Sequence, residues 1–466
     1  MLVGFILLYL AISIAVGLYA ARRVRGAADF AAARGRLKTP VVTATVFATW
    51  FGAETVLGIP ATFMKEGLAG LVADPFAAVA CLALIGAVFA RPLFRLGPLT
   101  LGDYFRSRYG RISEIVLTLA IAFSYFGWVA AQLVALGLAF SILSGGAIDL
   151  RTGLVLGAAA VLVYTMAGGM WSVALTDFFQ AIVIIAGLGF VAVTVADLAG
   201  GTGRVLDSIL ASDRLRFLPP PDLKSVLAFI SAGLVVLLGS VPQQDVLQRI
   251  VSSKDENIAA NGAILGGVLY FAIALVPIFL VSAAALIDPE MVGRLIEKDH
   301  QLILPTLVLE RTPFPIQVLF FGALISAILS TASGALLAPS VMVAENLVKP
   351  WLRRGDDAAL LRAMRLTILA IGVGVTAMAL KSSLSIYQLV NESGKVVLVA
   401  AFVPLAAGLF WRRANSAGAL ASASLGLAIW IALEAVAPEA TLPPVLAGLL
   451  ASISGMVLGS YAPARR

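Results

Sequence analysis

Residues 43 to 60 read TATVFATWFGAETVLGIP, an apolar segment of membrane length that interrupts itself. It holds Gly52, Gly58, Pro60, polar threonines and one carboxylate, Glu54. A helix that only had to cross lipid would not be built this way. Unwinding a helix frees backbone carbonyl and NH groups, which are tolerated at membrane depth only where they line a protein cavity. A broken helix with a charge near its break is the sequence sign of a site for an ion or a solute.

The rest of the chain fits a membrane setting. Of 466 residues, 60% are hydrophobic and 13% charged, against about 25% charged in a soluble domain. The net charge of +7 comes from basic residues in short loops between apolar stretches. No basic stripe with interleaved aromatics appears, so nucleic acid is not an expected partner and the lipid bilayer is. The single Cys81 excludes a disulfide within the chain, and the single His300 gives no His/Cys cluster for zinc or haem. Residues 2–20 have no basic stretch before them and no small-residue cleavage pattern after them, so they are expected to stay as a helix.

Thirteen spans are expected, near 2–20, 40–64, 70–93, 113–143, 151–167, 173–197, 224–250, 257–287, 313–347, 359–380, 384–410, 415–436 and 443–461. Basic residues concentrate in the odd-numbered linkers: Arg22, Arg23, Arg25, Arg34, Arg36 and Lys38; Arg91, Arg95, Arg106, Arg108 and Arg111; Arg249 and Lys254; Lys349, Arg353, Arg354, Arg362 and Arg365; Arg412 and Arg413. The tail adds Arg465 and Arg466. Even-numbered linkers carry Glu66, Asp149, Asp288, Glu290, Glu297 and Glu439 instead. Positive-inside bias then puts the N-terminus outside and the C-terminus in the cytoplasm of a multi-pass inner-membrane protein.

Two further spans depart from plain apolar helices. The seventh contains Gly239-Ser240-Val241-Pro242-Gln243-Gln244-Asp245, and its proline predicts a second unwound helix. The second and seventh spans are five apart and cross in opposite directions. That predicts two inverted five-helix repeats, residues 40–197 and 224–410, within a single transmembrane domain spanning 1–466. The ninth span reads Ser326-Ala327-Ile328-Leu329-Ser330-Thr331-Ala332-Ser333-Gly334. Its small hydroxyl residues either let helices approach closely or offer oxygens to a hard cation.

At these residues the chain resembles the sodium/solute symporter family of proline, sugar, sialic acid and choline carriers. Thr100-Leu101-Gly102-Asp103-Tyr104-Phe105 is similar to the family's TLPDYF-like loop. Gly168-Gly169-Met170-Trp171-Ser172-Val173, with Thr176-Asp177 and Gln180, is similar to its GG…TD..Q segment. Pro242-Gln243-Gln244 with Gln248-Arg249 looks like the choline-carrier form of the seventh helix, and Ser330-Thr331 with Ser333 like the ninth-helix sodium motif. The resemblance covers roughly residues 2 to 460. It implies a LeuT-type 5+5 inverted-repeat fold and symport driven by Na⁺ as the coupling ion.

It also implies sites. A sodium site would use the carbonyls of Ala48, Phe51 and Ala327 with the hydroxyls of Ser330 and Thr331; the bland reading is that those hydroxyls bond back to their own helix. A second sodium site, found in part of the family, would use Asp177, Ser330 and Ser333, but its next serine is Gly334 here. Asp177 could equally be a structural carboxylate. Trp50 stands where choline carriers have a tryptophan, whose face can bind quaternary ammonium or simply fill the interior. The second pocket tryptophan of that pattern is replaced by Gln243, beside Gln244.

Glu54 replaces a glycine of the choline pattern, and three roles are open to it: partner of a cationic solute, titrating coupling site, or partner of Lys395. Lys395 lies three residues after Glu392, so an intrahelical pair is the simpler reading. Asp74 either joins the pocket or marks the start of the third helix. The chain is therefore read as a sodium-coupled symporter of a small organic solute (an amino acid, amine or small carboxylate), working by alternating access and functional as a monomer. Proton coupling through Glu54 or Asp177 is the alternative. An enzyme is not expected, since no nucleophile or metal cluster appears. A sensor on the transport fold is less favoured, because no signalling domain follows the last span.

Overall fold

A computed structural model describes residues 1–353, 355–382 and 385–461. Arg354, Arg465 and Arg466 of the basic linkers lie outside the described residues, as do the Arg34 side chain and residue 384, the expected start of the eleventh span. Among the described residues ten helices are long and apolar enough to cross a membrane, and two bent pairs raise the number to twelve. The helix Leu150–Leu198 has 49 residues. At about 1.5 Å per residue it runs some 74 Å, more than twice a hydrocarbon core of about 30 Å. Gly169 breaks it with φ 52° and ψ −136°. A Cβ there would lie 2.3 Å from the Phe30 carbonyl, so the site admits only glycine. Counted as two crossings on either side of Gly169, this helix brings the spans to thirteen, the number expected from the sequence.

Both expected interruptions form. The second span is Thr39–Trp50 followed by Glu54–Glu66, bent by 54°, and the seventh is Leu223–Gly239 followed by Gln244–Ser252, bent by 40°. The halves Thr39–Trp50 and Gln244–Ser252 lie toward the loops rich in arginine. There the loops around them are pinned together, with Leu37 N donating to Ser252 O and Lys254 N donating to Leu37 O, both at 2.9 Å. On the same face the TLGDYF-like loop opens the short helix Leu101–Tyr109 through a reciprocal cap between Thr100 and Asp103. Asn346 then ties that cap to the end of the ninth span, donating to Asp103 at 3.0 Å.

Burial ranks the spans. The ninth, Phe314–Trp351, has 89% of its most apolar stretch buried, while the first, Leu2–Ala21, and the twelfth, Ser416–Val436, have 22% each. The ninth span is therefore the central post, and the first and twelfth are lipid-facing. A central helix can carry polar side chains only if they find partners inside the protein. Ser326, Ser330, Thr331 and Ser333 are all fully buried on it.

Candidate functional site

The site is organised by the break in the second span. Helix Thr39–Trp50 ends at Phe51 (φ −89°, ψ 78°), so carbonyls of its last turn lose their intrahelical donors. Gly52 follows, and a Cβ on it would fall 2.4 Å from the Glu54 carboxyl group. Glycine thus lets the Glu54 carboxylate fold back over the break. Gln132 of the fourth span, Arg111–Leu143, clamps this arrangement at both ends of its amide. Its Oε1 accepts from Ala53 N at 3.0 Å and its Nε2 donates to Glu54 Oε2 at 2.8 Å. Trp128 Nε1 donates to Glu54 Oε1 at 3.2 Å. Each oxygen of this buried carboxylate therefore meets a neutral donor.

Glu54 faces a cavity lined by Trp50, Asp74, Trp128, Ser240, Gln243, Tyr270, Tyr387, Asn391 and Ser393, with Ala78, Val235, Val236, Val390 and Gly394. Both interrupted helices contribute, through Trp50 and Glu54 and through Ser240 and Gln243. Tyr270 of the eighth span, Glu256–Ile287, donates to Asp74 and shares a hydrogen bond with Thr55 at 3.3 Å. The described lining thus holds two carboxylates and four aromatic rings, and no Lys, Arg or His. Trp50 Nε1 is buried and has no protein acceptor among the described residues. Such a wall can hold a positive charge by Coulomb attraction and by ring faces, and it can donate one hydrogen bond to a solute acceptor.

Next to this cavity lie the expected sodium ligands. Thr331 Oγ1 lies 3.5 Å from the Ala48 carbonyl, linking the ninth span to the break. Ser330 Oγ donates to Asp177 Oδ1 at 2.7 Å. A hydroxyl that donates its proton keeps lone pairs for a cation, so Ser330 can serve Asp177 and an ion together. These oxygens suit a hard cation such as Na⁺. Ser333 instead donates to Ser330 O in its own helix at 3.1 Å.

Asp177 sits in a fully buried polar knot. Its Oδ2 accepts from Thr45 and, at 3.3 Å, from Thr49, and it lies 3.8 Å from Arg249 Nη2. Arg249, on the Gln244–Ser252 half of the seventh span, also donates to Thr49 Oγ1, to Thr45 O at 3.3 Å and to Asp245 O at 2.8 Å. Tyr125 completes the knot by donating to Asp245 Oδ1 at 2.5 Å. The helix halves on the arginine-rich face are thereby tied together.

Two expected site residues fall elsewhere. Lys395 pairs with Glu392 at 2.6 Å and with Glu434 at 3.6 Å, so the Glu54–Lys395 pair does not form. It lines a wider vestibule on the opposite face with Lys224, Glu392 and Glu439, which shares Val235 and Asn391 with the inner cavity. Gln244 points away from the cavity and braces the TLGDYF-like loop, accepting from Leu101 N at 2.8 Å. The sequence reading missed Trp128, Gln132, Tyr270, Tyr387, Asn391 and Ser393. A signal existed for the first two: Tyr125, Trp128 and Gln132 are spaced i, i+3, i+7, one face of an otherwise apolar helix.

Two interrupted spans around a shared inner cavity, beside hydroxyls and carbonyls suited to a small cation, define a helical secondary transporter. The chain belongs to the sodium:solute symporter family, whose family model matches residues 30–426. It is therefore a sodium-coupled solute symporter. Its relatives include the high-affinity choline transporter 1 of Caenorhabditis elegans, 28% identical over 92% of this chain and 77% of that protein. The human high affinity choline transporter 1 is also 28% identical, over 82% of this chain and 67% of that protein. Among solved structures, a Na⁺-coupled sialic acid symporter in its substrate-bound outward-open state superposes with a TM-score of 0.83 at 20% identity, over 100% of this chain and 98% of that one. The fold is that of LeuT-type transporters.

Proposed function

We propose that the chain carries a small organic cation, a quaternary or protonated amine, into the cell with sodium. The observation that carries this reading is the pairing of Glu54 and Asp74 in one aromatic cavity whose described lining has no basic side chain. A buried carboxylate is costly without a positive partner, and here the solute supplies it. The Trp50 and Trp128 faces hold the cation, and Trp50 Nε1 meets a hydroxyl or other acceptor on the solute. The choline transporters among the relatives favour the same ligand class.

The carbonyls of Ala48, Phe51 and Ala327 with the hydroxyls of Ser330 and Thr331 hold sodium across the break. An ion bound there fixes the broken second span against the ninth, and so shapes the wall bearing Trp50 and Glu54. The repeats 40–197 and 224–410 rock about this centre. The arginine-rich loops face the cytoplasm, the N-terminus lies outside, and the monomer is the working unit in the inner membrane. With the Arg249 knot closing the cytoplasmic side and the vestibule leading away from it, the arrangement corresponds to an outward-facing state.

The test is uptake of radiolabelled choline into proteoliposomes under an inward sodium gradient. Uptake should follow the gradient, and Ser330→Ala with Thr331→Ala should abolish it. Uptake unchanged by that double substitution would remove the sodium assignment. A second reading, proton movement through Glu54, draws on the same cavity: one monovalent solute leaves one of its two carboxylates uncompensated. It predicts uptake driven by a pH gradient in sodium-free buffer.

A further inference from the structure

The resemblance to sodium symporters implies a second sodium site at Asp177, Ser330 and Ser333, and the residues present do not fit it. Both Asp177 oxygens are engaged, Oδ1 by Ser330 and Oδ2 by Thr45, Thr49 and the facing Arg249. Ser333 is turned to its own helix. The serine that would follow it is Gly334, and a Cβ there would lie 3.0 Å from Arg249 Nη2 and 3.1 Å from Thr49 Cγ2. The guanidinium thus lies against the position where that serine side chain would begin.

We infer that Arg249 is a resident cation standing in for the second sodium, so that this chain binds one sodium per transport cycle. The charges agree. The knot contains two carboxylates, Asp177 and Asp245, and one guanidinium, all at most 2% exposed. That leaves one negative charge. A single sodium held by Ser330 and Thr331 is coupled to Asp177 through the Ser330 hydroxyl and brings the sum to zero. A second sodium would leave an uncompensated positive charge in a buried, apolar setting, the situation membrane interiors penalise most. Arginine suits the role because it stays protonated in proteins and offers five donors in a fixed plane. Here those donors reach Thr45 O, Thr49 Oγ1 and Asp245 O.

The test uses ²²Na⁺ alone, without solute, so an error in the solute class leaves it intact. Equilibrium binding to the purified full-length transporter should saturate at one ion per chain with a Hill coefficient near one. Thr331→Ala should remove that ion. Saturation at two ions, or one ion retained in Thr331→Ala, would overturn the inference. The substitution pair Arg249→Gln and Gly334→Ser, which withdraws the guanidinium and restores the serine, should raise saturation of monodisperse protein from one ion to two. Saturation that stays at one would deny Arg249 the role. Because this variant loses a buried ion pair, the wild-type count decides the stoichiometry on its own.

Discussion

Two pairs of carboxylates, buried except for the half-buried Asp74, sit on opposite sides of the break in the second span, and they are treated differently. Asp177 and Asp245, toward the arginine-rich face, share Arg249 as a built-in cation. Glu54 and Asp74, toward the other face, have neutral donors among the described residues: Trp128 and Gln132 for the first, Tyr270 for the second. The first pair carries a resident cation that ties helix halves together, and the one negative charge left over falls beside the proposed sodium ligand Ser330. The second is held as an acceptor and has no positive partner among the described residues, which is the ground for the proposed organic-cation site. The contrast separates a structural use of buried charge from the proposed ligand-binding use.

Substitutions break the comparison at different points. The largest effect is expected from Arg249→Met, which strands two carboxylates. Removing one partner of a buried pair costs about 3–5 kcal/mol, so the detergent-solubilised variant should melt well below wild type. A melting temperature within a few degrees of wild type would show that the knot carries little stability. Next comes Glu54→Gln, which keeps size and hydrogen bonding but removes charge. Choline uptake should fall roughly 100-fold, about 3 kcal/mol at 1.4 kcal/mol per decade, while melting changes little. Equal losses of uptake and stability would erase the distinction between the two pairs. The smallest effect is expected from Lys395→Ala. Its partly exposed pairs are worth about 0–1 kcal/mol, so uptake should change by less than about fivefold. A large loss would return Lys395 to the site.

Much of this was legible in the sequence, and the limits have a physical pattern. The breaks were readable because glycine and proline act on the backbone locally, and the thirteen spans because lipid imposes length and hydropathy. Glu54 stood out because a lone carboxylate in an apolar run needs a reason. What surrounds Glu54 was not readable: Trp128 and Gln132 reach it across 74 and 78 residues of sequence, and Tyr270 reaches Asp74 across 196. The choline-like pattern suggested that the second tryptophan was lost at Gln243. The cavity has a second tryptophan all the same, Trp128, supplied by another helix. For Lys395, spacing gives the Glu392 pair as the simpler reading and the structure forms it; the rival placement beside Glu54 is the one that fails. Contacts between nearby residues of one helix follow from spacing, whereas contacts between helices need the fold.

The central claim is that the cavity recognises positive charge through Glu54. Its most direct test compares choline with 3,3-dimethyl-1-butanol, the uncharged isostere of the same shape, as competitors of radiolabelled choline uptake into proteoliposomes under an inward sodium gradient. Wild-type protein should prefer choline by at least about tenfold, in keeping with cation–π and Coulomb terms together exceeding about 1.4 kcal/mol, and Glu54→Gln should lose most of that preference. Equal competition by the uncharged alcohol, or a preference untouched by Glu54→Gln, would contradict the account.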